Sequence, residues 1–160
     1  MAAGGSLFLF GGFSEFGSRL NDTWVLELSA PCSWSEVPVD EVARPLPRSC
    51  HGGAVIKSTW VIVGGRVGFG ATSFADGTVH TDDAADVWCF DFRLRTWREL
   101  ALTGDGPGRL RSMGVAVATN EAGEEALIVY GGRSEERPVL SATYELIVDP
   151  TSLPMLTSSL

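Results

Sequence analysis

Three short runs of the chain are apolar at every position and end in a glycine pair: Leu7–Phe10 before Gly11 and Gly12, Trp60–Val63 before Gly64 and Gly65, and Leu127–Tyr130 before Gly131 and Gly132. Runs of four, rich in β-branched and aromatic residues and bounded by glycine, predict strands buried on both faces. The glycine pair is the stop, because it lets the backbone turn through positive φ or pass close under another chain. Each pair is followed by a strand of period two. Trp24, Leu26 and Leu28 alternate with Val25 and Glu27; Trp88, Phe90 and Phe92 take the same places in the second run, and Tyr144, Leu146 and Val148 in the third. A further short strand of the form Trp-x-Glu-aliphatic follows twice, at Trp34–Val37 and Trp97–Leu100. Loops rich in Pro and Gly come next, at 38–47 and 103–108. Out of them rise Arg48–Ile56 and Arg111–Ala118, each an Arg-Ser start followed by small and aliphatic residues.

The period is therefore four strands, and no segment has the i, i+3, i+4, i+7 apolar spacing of a helix. Arg48 to Arg111 and Trp34 to Trp97 are each 63 residues apart, while the glycine pairs are 53 and 67 apart, so the length variation falls in loops. Four features in register, namely Arg48 with His51, the pair Gly64 and Gly65, Trp88, and Trp97, make the central repeat resemble the kelch motif. The first repeat has Gly11, Gly12, Trp24 and Trp34 but no opening strand; the third keeps Arg111, Gly131 and Gly132, has Gly114 for the His and Tyr144 for the Trp, and has no final Trp. The resemblance implies an all-β fold of kelch-type β-propeller blades, each of four antiparallel strands, with about two to three blades and an incomplete ring. Residues 6–149 hold the repeats, divided into a partial blade at 6–37, a complete blade at 48–100 and a partial blade at 111–149, with a frayed tail at 150–160. Propellers usually close with 4 to 8 blades. The expectation is thus a piece of a longer protein, or a chain that completes its ring with other copies or further blades.

Composition bounds the partners. At 160 residues, with 44% hydrophobic and 20% charged residues, the chain reads as one ordinary globular domain. Twelve basic residues, of which Lys57 is the only lysine, stand against 20 acidic ones; the net charge of -8 disfavours nucleic acid and anionic membrane. No run approaches the roughly 20 apolar residues of a membrane span. Cys32, Cys50 and Cys89 are odd in number and form no Cys-x-x-Cys pair, and the N-terminus lacks a signal pattern, so a cytoplasmic location is expected, with a nuclear one open.

Few residues suggest chemistry. Cys50 and His51 are adjacent in a strand and point to opposite faces, so they do not make a thiolate–imidazole pair; His51 is expected to be hydrogen-bonded inside its blade. In the long loop 66–85, Gly68-Phe69-Gly70 lacks a third glycine and a following helix, which rejects a dinucleotide loop. Asp76 and His80 have an Asp-x-x-x-His spacing that looks like part of the iron site of kelch-type specifier proteins, but Thr72 stands where that site has glutamate; Glu36 and Asp40 are followed by Arg44, which is no metal ligand. Arg66 and Arg133 each follow a glycine pair, and guanidinium groups rimming a propeller channel can clamp acidic side chains; Arg48 and Arg111 start strands and are expected to bond loop carbonyls. Connectivity puts loops 38–47, 66–85 and 101–110 on one face. The expectation is a non-catalytic protein-interaction module without cofactor or bound metal, contacting another protein through Arg66, Phe69, Asp76, His80 and Arg133. A metal-dependent specifier-like protein or another enzyme on the same fold is the alternative.

Overall fold

The computed structural model describes residues 2–3, 5–68, 82–119, 121 and 123–148. All regular elements among them are strands. The first sheet has the order β1 (Ala2–Ala3), β2 (Ser6–Phe13), β3 (Arg19–Glu27), β4 (Ser33–Glu36). The second runs from β6 (Gly52–Ile56) through β7 (Thr59–Val63) and β10 (Val87–Asp91) to β11 (Thr96–Glu99), and the third through β12 (Gly114–Thr119), β13 (Glu125–Tyr130) and β14 (Thr143–Ile147). All pairings are antiparallel and the strands follow chain order outward, which is the meander of a propeller blade. The first sheet does carry an opening strand: Ala2 and Ala3 pair with Leu7 and Ser6, a stub that the polar-free N-terminal residues did not announce. A small fourth sheet joins β5 (Arg48–Ser49), β8 (Arg66–Val67) and β9 (Asp82–Asp83).

Two apolar layers hold the three sheets face to face. Phe8, Phe10, Val25 and Val37 of the first sheet meet Trp60, Ile62, Phe90 and Trp97 of the second. This layer is aromatic, with Phe10 and Trp97 rings 4.7 Å apart, and it is pinned by Trp97 Nε1 donating to the fully buried Thr23 Oγ1 at 2.9 Å. On its other face the second sheet sends Ala54, Ile56, Val61, Val63, Val87 and Cys89 against Leu127, Val129 and Met113. At about 1.5–3 kcal/mol for each large apolar side chain buried, these two layers are the main source of stability.

Burial on both faces therefore holds for β7, where all five residues are buried, and not for the other two apolar runs. Leu9 is 51% exposed and Tyr130 57% exposed, because β2 and β13 lie in sheets with a neighbour on one face only.

The third repeat is one residue out of register with its sequence pattern. Ser49 pairs with Arg66, and the residue bridged to Arg133 is Arg111, so Arg111 occupies the place of Ser49 and not of Arg48. A Cβ on Gly11 would lie 2.8 Å from the Arg48 carbonyl oxygen and one on Gly64 2.5 Å from that of Leu110, which puts Leu110 in the backbone place of Arg48. By the same test His51 lies over Gly65 and Met113 over Gly132. Met113, not Gly114, is thus the counterpart of His51. The Arg-Ser pair stands one residue nearer its strand in the third repeat, Arg111 being three positions before Gly114 where Arg48 is four before Gly52.

Candidate functional site

The glycine pairs set the geometry of the rim at which the long loops emerge. Gly64 and Gly65 have φ of 57° and 101°, and the other two pairs repeat these values closely, so each strand ends in the same bulge. The residue after each pair, Phe13, Arg66 or Arg133, is delivered to the same place on three neighbouring sheets. Beyond that bulge β2 still pairs, with Phe13 opposite Arg19; β8 pairs Arg66 with Ser49 on one side and Asp83 on the other; and Arg133 pairs with Arg111.

The side chains at this rim form one charged group. Arg19 lies over the Phe13 ring, 5.5 Å from its centroid, and donates from Nε to Ser49 Oγ at 3.2 Å. Burial, and then the charges of Arg66 and Arg111, hold the Arg19 pKa below its ordinary value, against the opposing influence of Cys50 and Asp83. Arg19, Arg66 and Arg111 thus share one patch with the carboxylates that pair with the last two. Arg66 Nη2 meets Glu135 Oε1 at 3.1 Å, an exposed ion pair. Arg111 holds both oxygens of Asp83, which is 2% exposed, and Arg109 pairs with Asp82 and donates to the Asp83 carbonyl at 3.3 Å. Arg133 has an exposed side chain. Beside this group Asp82, Arg109, Glu135 and Arg137 line a cleft of about 340 Å³.

Of the residues expected to bind, the structure brings Arg66 and Arg133 to this rim; Phe69, Asp76 and His80 lie outside the described residues. Two of the long-loop segments meet where they are described, Leu110 N donating to Ala84 O at 3.2 Å, and residues 66–67 and 82–83 form the small sheet with residues 48–49, which follow the loop 38–47. Arg19, Asp83 and Glu135 were missed. A signal for Arg19 was its place just ahead of Asn21-Asp22, opposite the residue that follows the glycine pair.

The other motif residues hold the fold. Arg48 is wholly buried and donates to the Gly64 carbonyl at 2.9 Å, to the Leu46 carbonyl at 3.2 Å, and from both terminal nitrogens to the two Asp86 oxygens at 2.7 Å each. Asp86 also accepts from Trp88 Nε1 at 2.7 Å, as Asp22 does from Trp24 Nε1 at 2.7 Å. Arg111 takes a carboxylate in place of the expected loop carbonyls, since its shifted register points it at Asp83. His51 also departs from expectation: its Nδ1 is buried without a hydrogen-bond partner, and the ring packs 5.6 Å from Phe10. Burial, with the charge of Arg48, lowers its pKa to about 4 and keeps it neutral. Tyr144 packs at the margin of the second apolar layer, and Trp34 is 48% exposed on the open face of the first sheet.

Residues 1–152 match the family model of the KLHDC2/KLHL20/DRC7 Kelch-repeats domain. An F-box/kelch-repeat protein of Arabidopsis thaliana is 26% identical over 148 residues, 88% of this chain and 28% of that protein. Adagio-like protein 3 of Oryza sativa subsp. japonica is 32% identical over 146 residues, 91% of this chain and 21% of that protein. Protein ral2 of Schizosaccharomyces pombe is 24% identical over 135 residues, 84% of this chain and 19% of that protein. The chain thus spans between a fifth and somewhat over a quarter of these relatives. The solved structure of YjhT superposes with a TM-score of 0.70 at 14% identity, over 94% of this chain and 42% of that one, and shares the fold.

Proposed function

This chain belongs to the family of KLHDC2/KLHL20/DRC7 Kelch-repeats domains, whose members are usually protein-interaction modules, and on that footing we propose that it is a non-catalytic module that holds an acidic segment of another protein at the arginine rim. The observation that carries this is the grouping of Arg19, Arg66 and Arg111, with Arg133 exposed beside them, on a chain whose net charge is -8. Positive charge concentrated at one rim of an acidic molecule selects acidic partners and repels the rest. Arg111 is committed to Asp83 and serves as support. Arg66 is held by Glu135 in an exposed pair, an arrangement worth at most about 1 kcal/mol, which an incoming carboxylate can displace. Glu135 then acts as a weak internal stand-in for the partner. The three cysteines are unpaired, and Cys32 and Cys50 are exposed, which favours a reducing, cytoplasmic setting.

The test is fluorescence anisotropy with a labelled Glu/Gly peptide and its Gln/Gly counterpart. The Glu peptide is expected to bind in a salt-sensitive way, Arg66→Glu with Arg133→Glu to weaken it about tenfold or more, and Glu135→Ala to strengthen it. Equal binding of the two peptides, or indifference to the double charge reversal, would refute the proposal.

A further inference from the structure

The place after each glycine pair holds arginine in two sheets and phenylalanine in one: Phe13, Arg66 and Arg133. Phe13 is 60% exposed, yet it does not belong to the open face of its sheet. That face carries Leu7 and Leu9, opposite Leu26 and Trp24. Phe13 follows the register shift between Phe10 and Gly12 and stands opposite Arg19, so the two side chains share one side of the hairpin. From there Arg19 reaches Ser49 Oγ at 3.2 Å, which turns that side towards the second repeat. Arg66 and Arg111 are near enough to Arg19 to act on its charge, so the exposed ring belongs to the arginine rim. The ring is also held in place: its backbone is paired in β2, and Arg19, itself tied to Ser49, lies over it at 5.5 Å. A side chain fixed before binding loses little freedom when a partner arrives. A single exposed phenylalanine is ordinary on a protein surface. This one differs in standing at the backbone place that the next two sheets give to arginine, and in resting under one of the rim's own guanidinium groups. Aromatic and arginine side chains together are the composition of binding hot spots.

We infer that the segment seated at this rim is an acidic run with one aromatic side chain at the end that lies over the first sheet, where it packs on Phe13, while its carboxylates lie along Arg66 and Arg133. This deepens the acidic-partner reading proposed above and rests on it. The second sheet packs between the first and the third, so Phe13, Arg66 and Arg133 follow one another along the rim and set the order of the partner's groups, apolar first and charged after. Charge complementarity supplies the attraction. Phe13 supplies discrimination. The face of an aromatic ring is negative, so a carboxylate placed over Phe13 is disfavoured, and an aromatic group placed at the other end leaves the Phe13 ring in water. A purely acidic segment thus matches two of the three places, and a segment with its aromatic group at the wrong end matches no better.

The experiment is fluorescence anisotropy of the 160-residue chain with labelled Glu/Gly peptides, blocked at both termini, that carry Phe or Ser at one end or at the other. One of the two Phe peptides is expected to bind about tenfold more tightly than its Ser counterpart. Phe13→Ser abolishes that difference, so that the Phe and Ser peptides bind alike. Phe16→Ser, at the tip of the adjoining turn and 83% exposed, leaves the difference intact and controls for general stickiness of exposed rings. Near-ultraviolet circular dichroism controls for folding of both variants. The inference falls, and the acidic-partner reading stands, if the Ser peptides bind and are weakened by Arg66→Glu with Arg133→Glu but neither Phe peptide gains. It falls likewise if the gain survives Phe13→Ser or is lost equally in Phe16→Ser. If no peptide of the set binds, both readings fall together.

Discussion

Replacing Arg48 by leucine removes a guanidinium with no exposure that makes four hydrogen bonds, two of them to Asp86. Breaking a buried ion pair from one side costs about 3–5 kcal/mol, because the remaining charge is left without compensation. Asp86 keeps 25% side-chain exposure and its bond from Trp88, so water relieves part of that loss and the expected cost is about 3 kcal/mol. The third repeat shows how the loss can be recovered. There Leu110 has the backbone place of Arg48, and Ala142, whose carbonyl accepts from Gly131 N as that of Asp86 accepts from Gly64 N, has the place of Asp86. The double variant Arg48→Leu with Asp86→Ala therefore installs a pair that the fold already accepts. It is expected to be more stable than the sum of the single losses by about 1–3 kcal/mol. It will not return to wild type, since the carbonyls of Leu46 and Gly64 and the Trp88 indole lose partners at about 1 kcal/mol each. Urea denaturation followed by tryptophan fluorescence measures all four proteins, and unchanged slopes would show that compactness is not at issue. The pH supplies a second axis. Burial pushes the Asp86 carboxyl up, but the hydrogen bonds and charge of Arg48, with the Trp88 bond, outweigh it and leave the pKa below its ordinary 3.8. A carboxylate with a lowered folded pKa contributes stability above its unfolded pKa and loses it as the pH falls through the folded one. The advantage of wild type over Arg48→Leu should accordingly shrink below about pH 3.8. Additive single losses, with no coupling between positions 48 and 86, would refute this account.

His51, neutral and with a pKa of about 4 in the fold against 6.5 when unfolded, takes up a proton more readily in the unfolded chain. Stability should be fully present above pH 6.5 and decline as the pH falls from 6.5 towards 4, by at most about 3 kcal/mol; His51→Phe should flatten this limb in urea titrations at stepped pH, and an unchanged slope would contradict it. Gly64→Ala places a Cβ 2.5 Å from the Leu110 carbonyl oxygen at a φ of 57°, so a loss of about 2 kcal/mol or more is expected in the same assay, whereas Gly104→Ala, in open space at φ 83°, should cost about 1 kcal/mol from strain alone. Equal losses at the two glycines would show that the close approach is relieved by backbone movement.

The strands were legible because their signals are local. Period-two alternation in Trp24–Leu28 and Trp88–Phe92, together with the glycine stops, needs only adjacent residues to be read. The register of the third repeat was not legible, because Arg111-Ser112 copies Arg48-Ser49 in sequence while the backbone follows a different constraint. What fixes the register is the carbonyl that passes beneath a glycine of the preceding sheet, and in the third repeat that carbonyl is Leu110. The rim was half legible for the same reason. Arg66 and Arg133 could be found from the glycines before them, but a partner of Arg66 is 69 residues away at Glu135 and one of Arg111 is 28 residues away at Asp83. His51 illustrates a third case: its place in the motif suggested a hydrogen bond inside the blade, while packing against Phe10 and Gly65 left Nδ1 without one.

On the proposed reading, the three repeats separate support from recognition. Places whose backbone passes under a glycine tolerate a change of chemistry only in matched sets: Arg48 with Asp86 in one sheet, Leu110 with Ala142 in the next. A charge there without its partner would be buried at high cost, so such places change together or remain. The residue following the glycine pair is under no such constraint. Its backbone pairs with a neighbouring strand in every sheet while its side chain reaches the rim, and it is Phe13, Arg66 and Arg133 in turn. Identical backbone delivering unlike side chains to one surface is what allows a repeat to bind an asymmetric partner without altering its own packing. On the proposed reading, the specificity of this module is written mainly in the residues that the repeat pattern leaves unspecified, beginning with these three and with Arg19 and Glu135, which face them.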